Sequence, residues 1–269
     1  TGSNSPGANL PEILNATKQE YSRLRLPDEG ALSTAASKAG HILEVIEKND
    51  LALLKSEEIP EKLREIPKPP AFLLTKGDNS ILDKVGIAVI GTRTPTDWGK
   101  RVAERFGFVL AEKGFVVVSG LALGCDTAGH VGCLKANGKT IAVMPCGLDE
   151  VYPPNNCELA QEIVDSGGCL VSEYPPLIKM HKSFFVERDR LQSGLSRAVI
   201  VVETGIKGGT QQTVKFAKEQ GRQVACLDHP TLYHTYESVQ GNRKMISDNL
   251  AVPLKSGEDL ETFLESLEV

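Results

Sequence analysis

Beyond residue 85 the chain alternates short, nearly unbroken apolar runs with stretches whose apolar residues recur once per helical turn. The runs at 86–90, 115–119, 140–144, 169–173, 198–203 and 223–227 are rich in Val and Ile, and each predicts a strand covered on both faces. Between the first two, Val102, Phe106 and Val109 fall at i, i+4 and i+7, which gives one helix starting near Asp97 a single buried stripe. Strand and helix in regular alternation predict stacked βαβ units, hence an α/β fold with a doubly wound, mostly parallel sheet. In such a sheet the ligand site lies at the carboxyl ends of the strands.

The first eighty residues have another character. Residues 32–54 are helical in spacing, with Leu43, Ile46 and Leu54 among the apolar positions, and a proline-punctuated connector follows with a short strand near 72–74. Thr1 to Gly7 has linker composition. At the far end, 242–249 and 259–267 read as two closing helices. The expected organisation is therefore a tail and small helical lead-in over 1–64, a Rossmann-like domain over 65–250, and a C-terminal helix within 251–269.

A chain of 269 residues with 41% hydrophobic content is long enough to bury a substantial core. Its 30 basic and 35 acidic side chains leave a net charge of −5, so no global field draws it to nucleic acid or to an anionic membrane. Any phosphate recognition must be a local pocket. Six cysteines occur without a CxxC pair, and a reducing cytoplasm is the simplest compartment for them. No stretch has the length of apolar sequence that a membrane span needs.

Candidate chemistry gathers at strand ends. Gly91-Thr92-Arg93 closes the first run: the glycine lets backbone N–H groups approach an anion, the threonine hydroxyl adds a donor, and the arginine can clamp a phosphate through two N–H groups. The same turn also reads as a tight connection carrying a surface arginine, and the GxGxxG fingerprint of dinucleotide sites is absent from it. Ser119-Gly120 ends the second run; beyond it Asp126 is placed to cap a helix, with His130 one turn further on the same face, where an Asp–His hydrogen bond is the simplest expectation. Cys125, His130 and Cys133 do not have offsets that bring three metal ligands together, so no metal is expected. Lys207-Gly208-Gly209-Thr210 precedes a helix and makes a second anion-binding turn, which also reads as a flexible lid. Between the fourth and fifth runs, Lys179, His181, Lys182, Arg188 and Arg190 surround Phe184 and Phe185. Cations interleaved with rings suit single-stranded nucleic acid, and a solvated cationic helix face with two core phenylalanines is the competing account.

Taken in order, "EIPKPP", "GTRTPTDWGKRVAE", "VVSGLALGCDTAGHVGCL", "GKTIAVMPCGLDEVYPPNN", "LVSEYPP", "RDRLQSGLSRAVIVVE" and "AKEQGRQV" resemble the DNA processing protein A family, also called DprA or Smf. The resemblance runs from about Glu65 to Asp228, with "QGNRKMI" similar to the end of the family's Rossmann domain. It implies an extended Rossmann fold that binds single-stranded DNA without reading sequence, forms a homodimer, needs no cofactor, and helps load a RecA-type recombinase during natural transformation. It also implies that Gly91, Thr92, Arg93, Lys182, Phe185 and Arg188 line the DNA pocket. The chain departs from the family pattern at Phe184-Phe185-Val186, at Arg188-Asp189-Arg190 and at Gly208-Gly209-Thr210-Gln211. The last is closer to nucleotide-binding relatives such as phosphoribohydrolases, an enzymatic alternative in which Glu203 would be the working carboxylate. A third reading is an adaptor whose helices serve a protein partner.

Overall fold

The structure, a computed structural model, describes residues 28–267. The linker-like stretch at the amino terminus lies outside the described residues. The chain divides into two units after Glu44, and helix α1 (Glu29–Lys48) starts in the first of them. All that follows concerns the second unit, Val45–Val269.

The helix expected over 32–54 stops at Lys48. Asp50 adopts a left-handed φ of 53°, and the Asn49 side chain donates to Val45 O at 2.8 Å, so the chain turns and continues as strand β1 (Ala52–Leu54). A short helix α2 (Glu61–Arg64) leads to β2 (Leu73–Gly77). The six runs then form β3 (Gly86–Ile90), β4 (Val116–Ser119), β5 (Thr140–Val143), β6 (Cys169–Ser172), β7 (Ser196–Val201) and β8 (Gln223–Leu227). Helices α3 (Asp97–Glu112), α4 (Cys125–Lys135), α5 (Cys157–Asp165), α6 (Lys182–Gly194) and α7 (Thr210–Glu219) connect them in turn. Helix α8 (Gln240–Ser247), strand β9 (Val252–Leu254) and helix α9 (Gly257–Glu265) close the chain. Strands β1 and β9 fall outside the 65–250 range and both belong to the same sheet.

The sheet has nine strands in the order β1-β2-β6-β5-β4-β3-β7-β8-β9. From β6 to β9 every neighbouring pair is parallel, while β1 and β2 join antiparallel at one edge. Alternation along β3 shows how the layers are built: Ile87 and Val89 pack with α3, α4 and α9, whereas Ala88 and Ile90 pack with α7 and α8. A strand buried on both faces must be apolar throughout, which is why the runs were readable. The stripe on α3 is set slightly differently from the expected one: Ala103, Phe106 and Leu110 are buried, and Val102 and Val109 are only half-buried.

The functional position follows from the strand order. The chain lays down β3, β4, β5 and β6 in one direction, then returns to place β7, β8 and β9 on the other side of β3. The segments leaving β3 and β7 therefore diverge and open a crevice at their carboxyl ends.

Candidate functional site

That crevice is a cleft of about 340 Å³. Gly91, Thr92 and Arg93 form one wall, Gly208, Gly209 and Thr210 another, and Phe185, Arg188 and Asp189 of α6 reach in from the side. Gly91 is required by close approach: a Cβ there would lie 2.5 Å from Cys125 Sγ and 2.9 Å from Glu203 O. The turn is pinned by its backbone, since Thr92 N donates to Glu203 O at 2.7 Å and Cys125 N donates to Thr92 O at 3.2 Å. Gly124 completes the junction with a φ of 85°, its Cα facing the Thr92 and Arg93 carbonyls. Arg93 is left exposed, its guanidinium 5.3 Å from the centre of the Phe185 ring, with no ion pair at contact distance among the described residues. Opposite it, α7 starts at Thr210 with Gly209 as its cap and no side chain on its first N–H groups, so the positive end of the helix faces the cleft.

The two adjacent phenylalanines have different duties. Phe184 stacks on Tyr174 with ring centres 4.0 Å apart, while Phe185 meets Tyr152 edge-on at 5.4 Å and carries Arg93 over its face. Both rings are half-buried, and Phe185 is the one that borders the cleft.

The floor of the cleft is a charged cluster. Arg188 is 6% exposed, donates from Nη1 to Val143 O at 2.9 Å and sets Nε 3.1 Å from Asp189 Oδ1. Its guanidinium occupies the space a side chain at position 120 would need, because a Cβ on Gly120 would fall 1.6 Å from Nη1. Burial pushes the Asp189 carboxyl up to about 6, with Arg188 pulling the other way and Asp126 adding to the rise. Asp126 is raised as well, chiefly by burial and against the attraction of Arg188. The Gln192 amide fits this cluster with its oxygen toward Gly120 N (2.8 Å) and Arg188 Nη1 (2.7 Å) and its nitrogen toward Asp189 Oδ1 (3.2 Å).

Several expected residues are placed elsewhere. Ser119 is fully buried and its hydroxyl donates to Val89 O at 2.6 Å, so it tethers two strands and does not reach the cleft. Gly120 borders a smaller adjoining recess of about 70 Å³ with Tyr152 and Phe185. Lys182 and Lys207 are exposed and line neither space. Asp126 does not cap α4, whose cap is Gly124; its Oδ2 instead accepts from Gly120 N at 3.1 Å and Ala122 N at 3.4 Å. The expected Asp126–His130 bond is replaced by one between His130 Nδ1 and Thr140 Oγ1 at 2.7 Å, and burial lowers the His130 ring to about 3. Within the basic segment, Arg190 pairs with Glu173, and His181 accepts from Ser183 N to cap α6. No group of three His, Cys, Asp or Glu side chains among the described residues is arranged to hold a metal ion.

Glu203, the carboxylate of the enzymatic alternative, is buried and engaged. It accepts from Thr96 N (2.9 Å), Thr96 Oγ1 (2.5 Å) and Ser238 Oγ (3.2 Å), with His229 Nε2 at 3.4 Å from Oε1. Burial alone would raise it, but His229 and Thr96 outweigh burial and hold it below the usual carboxylate range. It locks the start of α3 and does not line the cleft. Sequence reasoning passed over Gln192 and Thr213, which do line it; their signal was position, one turn beyond Arg188 and one turn into α7.

The family model for DNA recombination-mediator protein A matches residues 50–265, which include all nine strands of the sheet and the whole cleft. The chain belongs to this family. The DNA processing protein DprA of Bacillus subtilis is 42% identical over 208 residues, covering 77% of this chain and 68% of that protein. The Smf protein of Synechocystis is 41% identical over 174 residues, 63% of this chain, and the chain spans 44% of its length. Among solved structures, DprA of Streptococcus pneumoniae superposes with a TM-score of 0.76 at 28% identity over 94% of this chain and 91% of that one. DNA processing protein A of Helicobacter pylori, described for its unique single-stranded DNA binding mode, gives 0.72 at 30% identity over 80% and 96%. The expected α/β architecture, a Rossmann-like mostly parallel sheet, is thus shared with solved members of the family.

Proposed function

We propose that this protein binds single-stranded DNA in the cleft between β3 and β7, without reading its sequence, and acts in DNA uptake and recombination. The observation that carries the reading is Arg93: an exposed guanidinium seated over the Phe185 ring, between two glycine turns, at the sheet's switch point. A phosphate fits the Arg93 fork and the positive end of the α7 dipole, while a base fits the ring surface beside them. Lys182 and Lys207, exposed on either side, meet the flanking phosphates. Arg188 supports the floor, and its charge is already matched by Asp126 and Asp189. On this reading the protein is a binder that hands DNA to a RecA-type recombinase in the cytoplasm and works as a homodimer. No helix among the described residues is long and apolar enough to cross a membrane. The hydrolase alternative loses its carboxylate to the α3 cap.

Fluorescence anisotropy with labelled oligo-dT tests this. Arg93→Ala removes a charged hydrogen-bonding contact of about 1.5–3 kcal/mol, a loss of roughly ten- to a hundredfold in affinity. Unchanged affinity at fixed salt in a folded variant overturns the assignment, and release of free base from nucleoside monophosphates would restore the enzymatic reading.

A further inference from the structure

Away from the cleft, α3 packs closely on α4 but stands apart from α9, and a groove of about 310 Å³ runs between them. Its floor is apolar, with the Phe106 ring among aliphatic side chains. Leu227, Leu254 and Leu260 are buried beneath it, and the half-buried Val102 and Val109 border it along α3. From Trp98 to Val109 the groove follows α3 for about 16 Å, the length of about three helical turns of an occupant.

The rim is cationic. Arg101 and Arg105, one turn apart on α3, are exposed and make no ion pair among the described residues; Lys255 on the other side faces Asp228 at 3.6 Å. Glu261 also borders the groove, but Lys113 lies 3.7 Å from it. Two uncompensated arginines beside an apolar trough complement a segment that carries both carboxylates and apolar side chains. Nucleic acid fits less well. The ring at the mouth, Trp98, is already stacked on Tyr233 at 5.2 Å and 16°, and the Phe106 ring in the floor is only 6% exposed, so neither offers a base a free face.

We propose that this groove docks a protein partner presenting an acidic segment with apolar side chains at helical spacing, its apolar face on the valine and leucine floor and its carboxylates on Arg101 and Arg105. The groove shares no lining residue with the cleft, so partner and DNA can be held together.

A displayed library of random peptides of about twelve residues, panned on the full chain saturated with oligo-dT and counter-selected on Arg101→Glu/Arg105→Glu, tests this. The expected consensus is net acidic with two or more apolar residues three or four apart. The enriched peptide, labelled with fluorescein, should bind the double variant about tenfold more weakly, and Val102→Trp, which fills the trough, should weaken it too. Both arginines are exposed, so the fold should survive, and Arg101→Ala/Arg105→Ala serves as a milder second variant. No enrichment, a neutral or basic consensus, or binding indifferent to these substitutions overturns the proposal. Loss of oligo-dT binding in the double variant, with no peptide selected, overturns it in favour of nucleic acid.

Discussion

If the cleft takes a phosphate as proposed, a carboxylate in its floor opposes the ligand, and Asp189 lines that floor. Its folded value of about 6, above the model-peptide 3.8, means the folded protein holds this proton more tightly than the unfolded chain does. The sign follows: from about pH 4 to about pH 6 this group makes the fold less stable as pH rises, and the loss is complete above pH 6. An anion in the cleft favours the same protonated form. Oligo-dT affinity should therefore strengthen several-fold between pH 7.5 and 5.5 in the wild type, at constant ionic strength, by about the share of Asp189 that takes up its proton. Asp189→Asn should bind more tightly at pH 7.5 and lose most of that pH dependence. A variant with the wild-type pH profile would show that Asp189 does not face the ligand. Which arginine faces it was only half legible in the sequence. Arg93 was expected to clamp a phosphate and Arg188 to line the pocket, yet pattern cannot show that the Arg188 guanidinium fills the space beside Gly120 and is buried there.

Helix α3 and the turn before it form a unit tied to β7 through one carboxylate. Thr96 caps the helix by accepting from Gly99 N at 3.0 Å and donates its own proton to Glu203, and a Cβ on Gly99 would fall 2.0 Å from Glu203 Oε1. Thr96→Ala removes the cap and one of the bonds that keeps Glu203 charged, a cost of about 0.5–2 kcal/mol. For a unit of this size the melting temperature should fall by about 2–4 °C per kcal/mol, read by circular dichroism. A melt identical to wild type would mean the Ser238 and His229 contacts alone anchor the helix. Central strands were legible because burial on both faces forces an unbroken apolar run. The edge strands were not: β1 and β9 are three residues long, mostly exposed, and β9 contains Pro253, so neither carries a periodic signal. The His130 partner was hidden for a related reason, since Thr140 lies on the next strand and pairing across a crossover leaves no mark in local spacing.

Over the whole molecule the charge balance limits how DNA can be held. With a net charge of −5 there is no long-range attraction, so binding must rest on the few cations that the fold leaves uncompensated near the cleft. Of the cations expected to meet DNA, Arg188 is paired with Asp189, which leaves Arg93, Lys182 and Lys207. Each phosphate neutralised on a single strand contributes about −0.7 to the slope of log affinity against log salt, so three give about −2. That is a shallow dependence. Lys182→Ala/Lys207→Ala should flatten it to about −0.7 while leaving the Phe185 stacking contribution, about 1–3 kcal/mol, in place. Phe185→Ala should do the reverse, lowering affinity at every salt concentration with the slope unchanged. A wild-type slope near −5 would mean that other basic surfaces take part, with Arg101 and Arg105 the first to substitute. A slope unmoved by the lysine pair would confine phosphate contact to Arg93 and the start of α7.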